Sequence, residues 1–220
     1  MSNLKILLCL ITIAFGGACQ ESSSKSSTTQ TAKAQVKDSA QVLGIDQLMK
    51  QAMLCDSMTY TNVVTKNASN GVLYFKSGHV FHSKYKHVLL ICKEPDATFT
   101  LATYFDDDGT WKLKDHITQL DLNPTQFNIK FQDFNFDNQI DCYIQVSHSN
   151  GYAISRGHLI IIDPNDYFPV LHKEARNLGN LRVVGQHIES DEWEGYDNDA
   201  TTQVKTYRYQ WVGGLLKRIS

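Results

Sequence analysis

The sequence predicts a mainly β domain, an antiparallel β-sandwich or propeller-like sheet with one or two short helices. Three observations predict it. Beyond residue 70, apolar residues recur with period two in about ten short runs, the pattern of half-buried strands. The pairs Asn70-Gly71, Asp108-Gly109 and Gly213-Gly214 fall between such runs, and Gly, Asn and Asp tolerate the positive φ that closes tight hairpins. Helical spacing is confined to two short stretches, too few for an alternating α/β chain.

Composition narrows the function. The chain has 220 residues, 42% hydrophobic and 20% charged, with 13 Gly and 4 Pro, which excludes collagen-like and wholly disordered polymers. Lys and Arg number 21 against 23 Asp and Glu, so the basic excess of a nucleic-acid surface is missing and no nucleic-acid partner is expected. Five cysteines are too few for a disulfide-built scaffold of this length.

Residues 1–18 read as a lipoprotein signal peptide. Lys5 supplies a short positive region, Ile6 to Phe15 an apolar one, and Gly16-Gly17-Ala18 the small residues a signal peptidase accepts. Cys19 follows directly, and the arrangement resembles a bacterial lipobox, with Gly16 where Leu is usual. That implies a diacylated Cys19 and attachment to a membrane through lipid. A plain secretory cut near Ala18 is the alternative. Gln20 carries no inner-membrane retention signal of the Asp type, which favours an outer-membrane anchor in the cell envelope.

Residues 19–41 are rich in Ser, Thr, Gln and Lys with little to bury, so they read as a flexible tether. A single β-rich domain then runs over 42–220. Without residues 1–41, which carry four Lys and two acids, its formal charge is −4, mildly steering toward basic partners. Three cysteines remain in it: Cys55, Cys92 and Cys142. An oxidising compartment permits one disulfide among them, and spacing does not say which.

The elements follow in order. Ile45 to Cys55 place Leu48, Met49, Ala52 and Met53 on one helical stripe, with Asp46 expected as N-cap. Strand patterns cover 72–75, 79–83, 86–93, 98–105, 110–114 and 127–131. Further strands are expected at DCYIQVS, GHLIIID, LRVVGQHI, TQVKTYRYQWV and LLKRIS. Leu171 to Leu178 is the second helix-like stretch, with Gly179 to end it.

Residues 133–141 carry definite chemistry. Asp133, Asn135, Asp137 and Asp141 put side-chain oxygens at positions one, three, five and nine, and Gln139 at seven would add a backbone carbonyl. Ca²⁺ takes six to eight oxygens, and alternate residues of a tight loop can aim several at one centre. The sixth position needs a left-handed backbone, and Asn138 is the best non-glycine residue for it. Phe134, Phe136 and Ile140 would anchor the loop on the core. An Asp/Asn-rich turn without an ion is the other reading. The ion's role would be structural.

This loop, the β-run after it, HLIIIDPNDYF, HKEARNLGNL and the final YRYQW…LLKRI hairpin are similar to a group of exported bacterial proteins. That group pairs a D-x-N-x-D-G-x-x-D loop with a β-sandwich or propeller-blade-like sheet and includes periplasmic inhibitors of lysozyme. The resemblance covers roughly 125–220, and the loop is its specific part. It implies a protein partner engaged by a Ser/Gly/Tyr loop, carried here by Ser149, Asn150, Gly151 and Tyr152 in the order S-N-G-Y rather than S-G-x-Y. A simple hairpin turn is the competing reading of those four residues.

Other features are blander. The acidic, aromatic run at 189–199 is either a solvated strand connection or a surface for a basic protein. Asp106-Asp107-Asp108-Gly109 reads as a hairpin tip. His79 and His82 would fall on opposite faces of a strand, so no zinc pair is expected. No nucleophile elbow, H-E-x-x-H or phosphate loop occurs. The expectation is a non-enzymatic envelope lipoprotein, braced by Ca²⁺, that binds another macromolecule, with inhibition of a lysozyme-like cell-wall hydrolase as one form of that binding. An immunity protein against an interbacterial toxin and an unrecognised glycan- or peptide-acting enzyme are the alternatives.

Overall fold

A computed structural model describes residues 43–62, 71–82, 84–148, 154–196 and 202–220. Two antiparallel sheets and one α-helix make up the framework, a β-sandwich as the alternation predicts. The first sheet runs in chain order: β1 (Met58–Thr61), β2 (Gly71–Gly78), β3 (His87–Lys93), β4 (Phe99–Asp107) and β5 (Thr110–Leu120). The second contains β6 (Asn128–Gln132), β7 (Asp141–His148), β8 (Ser155–Ile162), β9 (Pro169–His172), β10 (Gly179–Val184), β11 (His187–Tyr196), β12 (Thr202–Val212) and β13 (Leu215–Arg218). Its order is β13-β12-β11-β10-β8-β7-β6, with β9 on β8. No helix among the described residues is long and apolar enough to cross a membrane.

The layers follow from which faces are apolar. Leu73, Leu89, Ile91, Phe99 and Leu101 of the first sheet meet Cys142, Ile144, Ile160 and Ile162 of the second, all buried. The other face of the first sheet, through Val72, Phe75, Val88 and Leu90, receives Leu48 and Ala52 of helix α1 (Ile45–Leu54). That explains why β2 and β3 are buried nearly throughout: both their faces are covered. Tyr143, Leu159 and Ile161, on the far face of β7–β8, pack with Leu181, Ile188, Tyr207 and Tyr209 of β10–β12. The second sheet is therefore coiled upon itself, in the sense that strand twist favours.

Where the backbone of one strand must approach its neighbour, glycine is required for space. A Cβ on Gly157 would lie 2.3 Å from the Ile144 carbonyl oxygen and 2.7 Å from the Tyr143 ring. The hairpin tips Asp108-Gly109 (φ 50° and 78°) and Gly213-Gly214 (φ 61° and 78°) take the expected conformation. Asn70 lies outside the described residues.

Several local expectations are corrected. The helix N-cap is Gly44, whose N–H donates to Gln47 Oε1 at 3.2 Å; Asp46 sits in the first turn, where the helix dipole favours an acid. Residues 79–82 form no strand. Gly78 at φ 116° ends β2, and the bend that follows plugs both Val80 and Phe81 into the inter-sheet core, which alternation would forbid. Residues 171–178 are not an α-helix. Leu171 pairs with Ile160 in β9, and only Lys173–Asn177 winds, as a 3₁₀ turn that buries Ala175. LRVVGQHI is not one strand but the hairpin between β10 and β11, turned at Gly185 (φ 59°).

No disulfide forms among the three domain cysteines. Cys92 packs on the helix side of the first sheet, Cys142 lies between the sheets, and Cys55 is exposed beyond the helix. Burial pushes the Cys92 thiol up to about 11 and raises the Cys142 thiol further, so neither resembles an activated nucleophile.

Candidate functional site

The 133–141 loop joins β6 to β7 and is organised by its own acids. Asp133 Oδ1 accepts the backbone N–H groups of Phe136 (2.6 Å) and Asp137 (3.3 Å), and its Oδ2 accepts that of Asn138 (2.9 Å). Asn135 Oδ1 accepts the Asp137 N–H at 3.2 Å, while Asn135 Nδ2 donates to Asp137 Oδ2 at 2.7 Å. Asp137 Oδ1 accepts the Gln139 N–H at 2.7 Å. These bonds replace the sheet ladder that the loop lacks, which is why Asp and Asn recur at every second position.

Asn138 takes the left-handed conformation expected of it, at φ 68°. Phe136, at φ 65°, also does so, which its residue type does not suggest. Phe134 is fully buried and Phe136 packs against the same cluster, so the aromatic anchors sit as the alternation requires. Gln139 Oε1 is buried without a hydrogen-bond partner.

Asp133, Asn135 and Asp137 are thus brought together, and Asp141 is given a further task. It is fully buried; its Oδ2 accepts the Phe134 N–H at 2.8 Å and its Oδ1 the Ile162 N–H at 2.9 Å. One carboxylate therefore pins the loop's first turn and the end of β8 to the start of β7. Burial pushes its pKa up to about 7, against the pull of the two N–H groups and with the charges of Asp137 and Asp133 adding to the rise. Among the described residues no three His, Cys, Asp or Glu side chains converge as a metal-holding group; the convergent donors are two carboxylates and one amide. A carboxylate oxygen that accepts one N–H retains a second lone pair, so the donor set is compatible with a hard cation.

Two long-range contacts lock the loop, and local sequence gives no signal for either. Trp211 of β12 donates its indole N–H to the Phe134 carbonyl at 2.8 Å, and the Ile140 N–H reaches the Phe81 carbonyl at 3.4 Å. Around Trp211 lies a groove lined on one side by Asp133, Asn135, Asn138, Gln186 and Gln210.

Residues 189–196 of the acidic run lie on β11 and are less free than their composition suggests, while 197–199 lie outside the described residues. Glu189 pairs with Arg182 (3.0 Å), His187 (3.3 Å) and Arg208 (3.6 Å), and Asp191 with Arg182 (3.0 Å), Asn180 and Thr206. Further along, Trp193 and Tyr196 are 48% and 56% exposed, with ring centroids 5.7 Å apart, and Trp193 stands opposite the exposed Val204. Asp106 caps its hairpin by accepting the Gly109 N–H at 2.9 Å. Ser149, Asn150, Gly151 and Tyr152, and the lipid-acceptor residue Cys19, lie outside the described residues.

No family model and no curated protein matches the chain. A solved structure described as that of a Xanthomonas type IV secretion system related protein is similar over 74% of this chain and 99% of that one, at 13% identity and a TM-score of 0.28. A likeness at that score carries no argument here.

Proposed function

We propose that this chain is a lipid-anchored protein of the bacterial envelope whose β domain, braced by Ca²⁺ at 133–141, binds another protein, with a lysozyme-like cell-wall hydrolase as the partner class. The observation that supports it is the loop. Two carboxylates and an amide are drawn to one sheet corner, Asn138 holds the left-handed turn, and Asp141 ties that corner to β8. Like charges placed so close favour a cation between them. A corner fixed in that way holds the neighbouring strands rigid, and rigidity lowers the entropic cost of docking a partner. The exposed Trp193 and Tyr196 supply an aromatic surface for a partner, while Glu192 and Glu194 are engaged by Tyr209 and Lys205.

The test has two parts. Melting is compared in EDTA and in excess Ca²⁺ for wild type and Asp137→Ala; Ca²⁺ raises the wild-type midpoint and not the variant's, and an unmoved wild type removes the brace. Immobilised domain is then challenged with lysozymes, using Tyr152→Ala as a second variant. Retention and inhibition lost in Tyr152→Ala support the partner class. Release of sugar or peptide products by the domain alone would overturn the binding reading in favour of an enzyme.

A further inference from the structure

We propose that the groove around Trp211 is a binding site for an uncharged, hydroxyl-rich glycan chain. The inference rests on the groove alone and stands apart from the protein-partner reading. Two depressions of about 500 Å³ and about 340 Å³ meet along Trp211 and Asn135. Both fall within the ~300–1,000 Å³ typical of small-ligand sites.

The aromatic element of the site is held before any ligand arrives. Trp211 is half-buried, its indole N–H is bound to the Phe134 carbonyl at 2.8 Å, and His172 packs edge-on at 4.9 Å and 84°. An indole fixed in this way loses no rotamer freedom when a flat, C–H-rich pyranose face stacks on it.

The polar element is supplied by carboxamides. Asn138 from the loop and Gln186 from the β10–β11 turn are both exposed and both border the larger depression. Their amide groups make no hydrogen bond to another described residue. A carboxamide presents donors and an acceptor together, and so does every sugar hydroxyl, so adjacent hydroxyls can be bound in pairs. The charge pattern selects within that chemistry. Asp133 and Asp163 line the groove, and among the described residues no Lys or Arg does, so phosphates and carboxylates are repelled. A peptide added as a strand is not matched at the larger depression either: β12 is already paired on both sides, and the rest of that wall is loop and turn.

The experiment titrates the full domain with three neutral probes, chitotriose, cellotriose and maltotriose, followed by saturation-transfer NMR and calorimetry in EDTA and in Ca²⁺. Binding of at least one probe is expected. Gln186→Ala and Asn138→Gly, each at an exposed position, should each weaken it by about fivefold to tenfold, the effect of losing one hydrogen-bonding group. Both should leave the melting temperature unchanged. Trp211→Phe should weaken it further. Absence of saturation transfer to every probe in both buffers overturns the proposal, as does binding that Gln186→Ala and Asn138→Gly leave intact. Failure of the lysozyme retention assay would not affect this outcome, so the two readings fail separately.

Discussion

His87 makes the domain acid-labile in a way that can be calculated. Its side chain lies at the start of β3, 2% exposed, beside Phe81 at 5.6 Å and Tyr167 at 5.2 Å between ring centroids. Neither ring nitrogen makes a well-formed hydrogen bond. Burial drives its pKa from 6.5 down to about 4, and the nearby charges of His82 and His79 push the same way. A base with a depressed folded pKa contributes its full stability above the unfolded value of 6.5 and loses it as pH falls toward 4. At pH 4.5 the loss amounts to about 2–3 kcal/mol, from the ~1.4 kcal/mol that each unit of displacement is worth. For a domain of this size that is a fall of about 5–10 °C in midpoint. His87→Phe keeps an aromatic ring in the aromatic pocket and discards two unpaired buried nitrogens, so it should be near neutral at pH 7. The assay is thermal unfolding of wild type and variant at pH 7, 5.5 and 4.5. Other titrations are common to both proteins and cancel, so the gap between them should open by about 2–3 kcal/mol. Two curves that stay parallel to within about 0.5 kcal/mol would refute the reasoning.

Two further outcomes are expected. Gly157→Ala forces a methyl group to within 2.3 Å of the Ile144 carbonyl oxygen, which backbone cannot yield without opening the β7–β8 ladder; urea unfolding should show a loss of about 3 kcal/mol. Asp133→Ala removes the acceptor of three loop N–H groups, and because the loop is partly open to water the loss in EDTA should be about 1–2 kcal/mol. With Ca²⁺ at about 100 times its dissociation constant the gap should widen by about 2.7 kcal/mol, and an equal gap in both buffers would mean that the loop holds no cation.

The parts of the fold legible in the sequence are those set by local period and local turn chemistry. TQVKTYRYQWV alternates because Tyr207, Tyr209 and Trp211 face the core while Arg208 and Gln210 face outward, and β12 forms as that pattern requires. The Asp-Gly and Gly-Gly hairpins need only two residues to specify them, and both close as expected. Errors arose where tertiary contact overrode a local preference. Leu171 has helical neighbours but pairs with Ile160 on β8, which offers more burial than a single exposed turn. Val80 and Phe81 read as part of an alternating run, yet both fill the gap between the sheets from a bend that Gly78 begins.

The loop divides along the same line. Its spacing brought Asp133, Asn135 and Asp137 together because their partners lie within five residues. The second partner of Asp141 lies 21 residues away on β8, and the partner of the Phe134 carbonyl 77 residues away on β12, distances at which one sequence has no signal. Those long-range contacts are also what place Trp211 against the loop, so that Asp133 and Asn135 line both the proposed cation corner and the proposed glycan groove. Two ligands that share side chains cannot bind independently. By whatever factor Ca²⁺ alters the affinity for an oligosaccharide, the oligosaccharide must alter the affinity for Ca²⁺ by the same factor. The sign follows from which oxygens a sugar needs. If its hydroxyls take the Asp133 lone pairs the two compete, and if they take only the carboxamides of Gln186 and Asn138, ordering of the loop by the ion strengthens both.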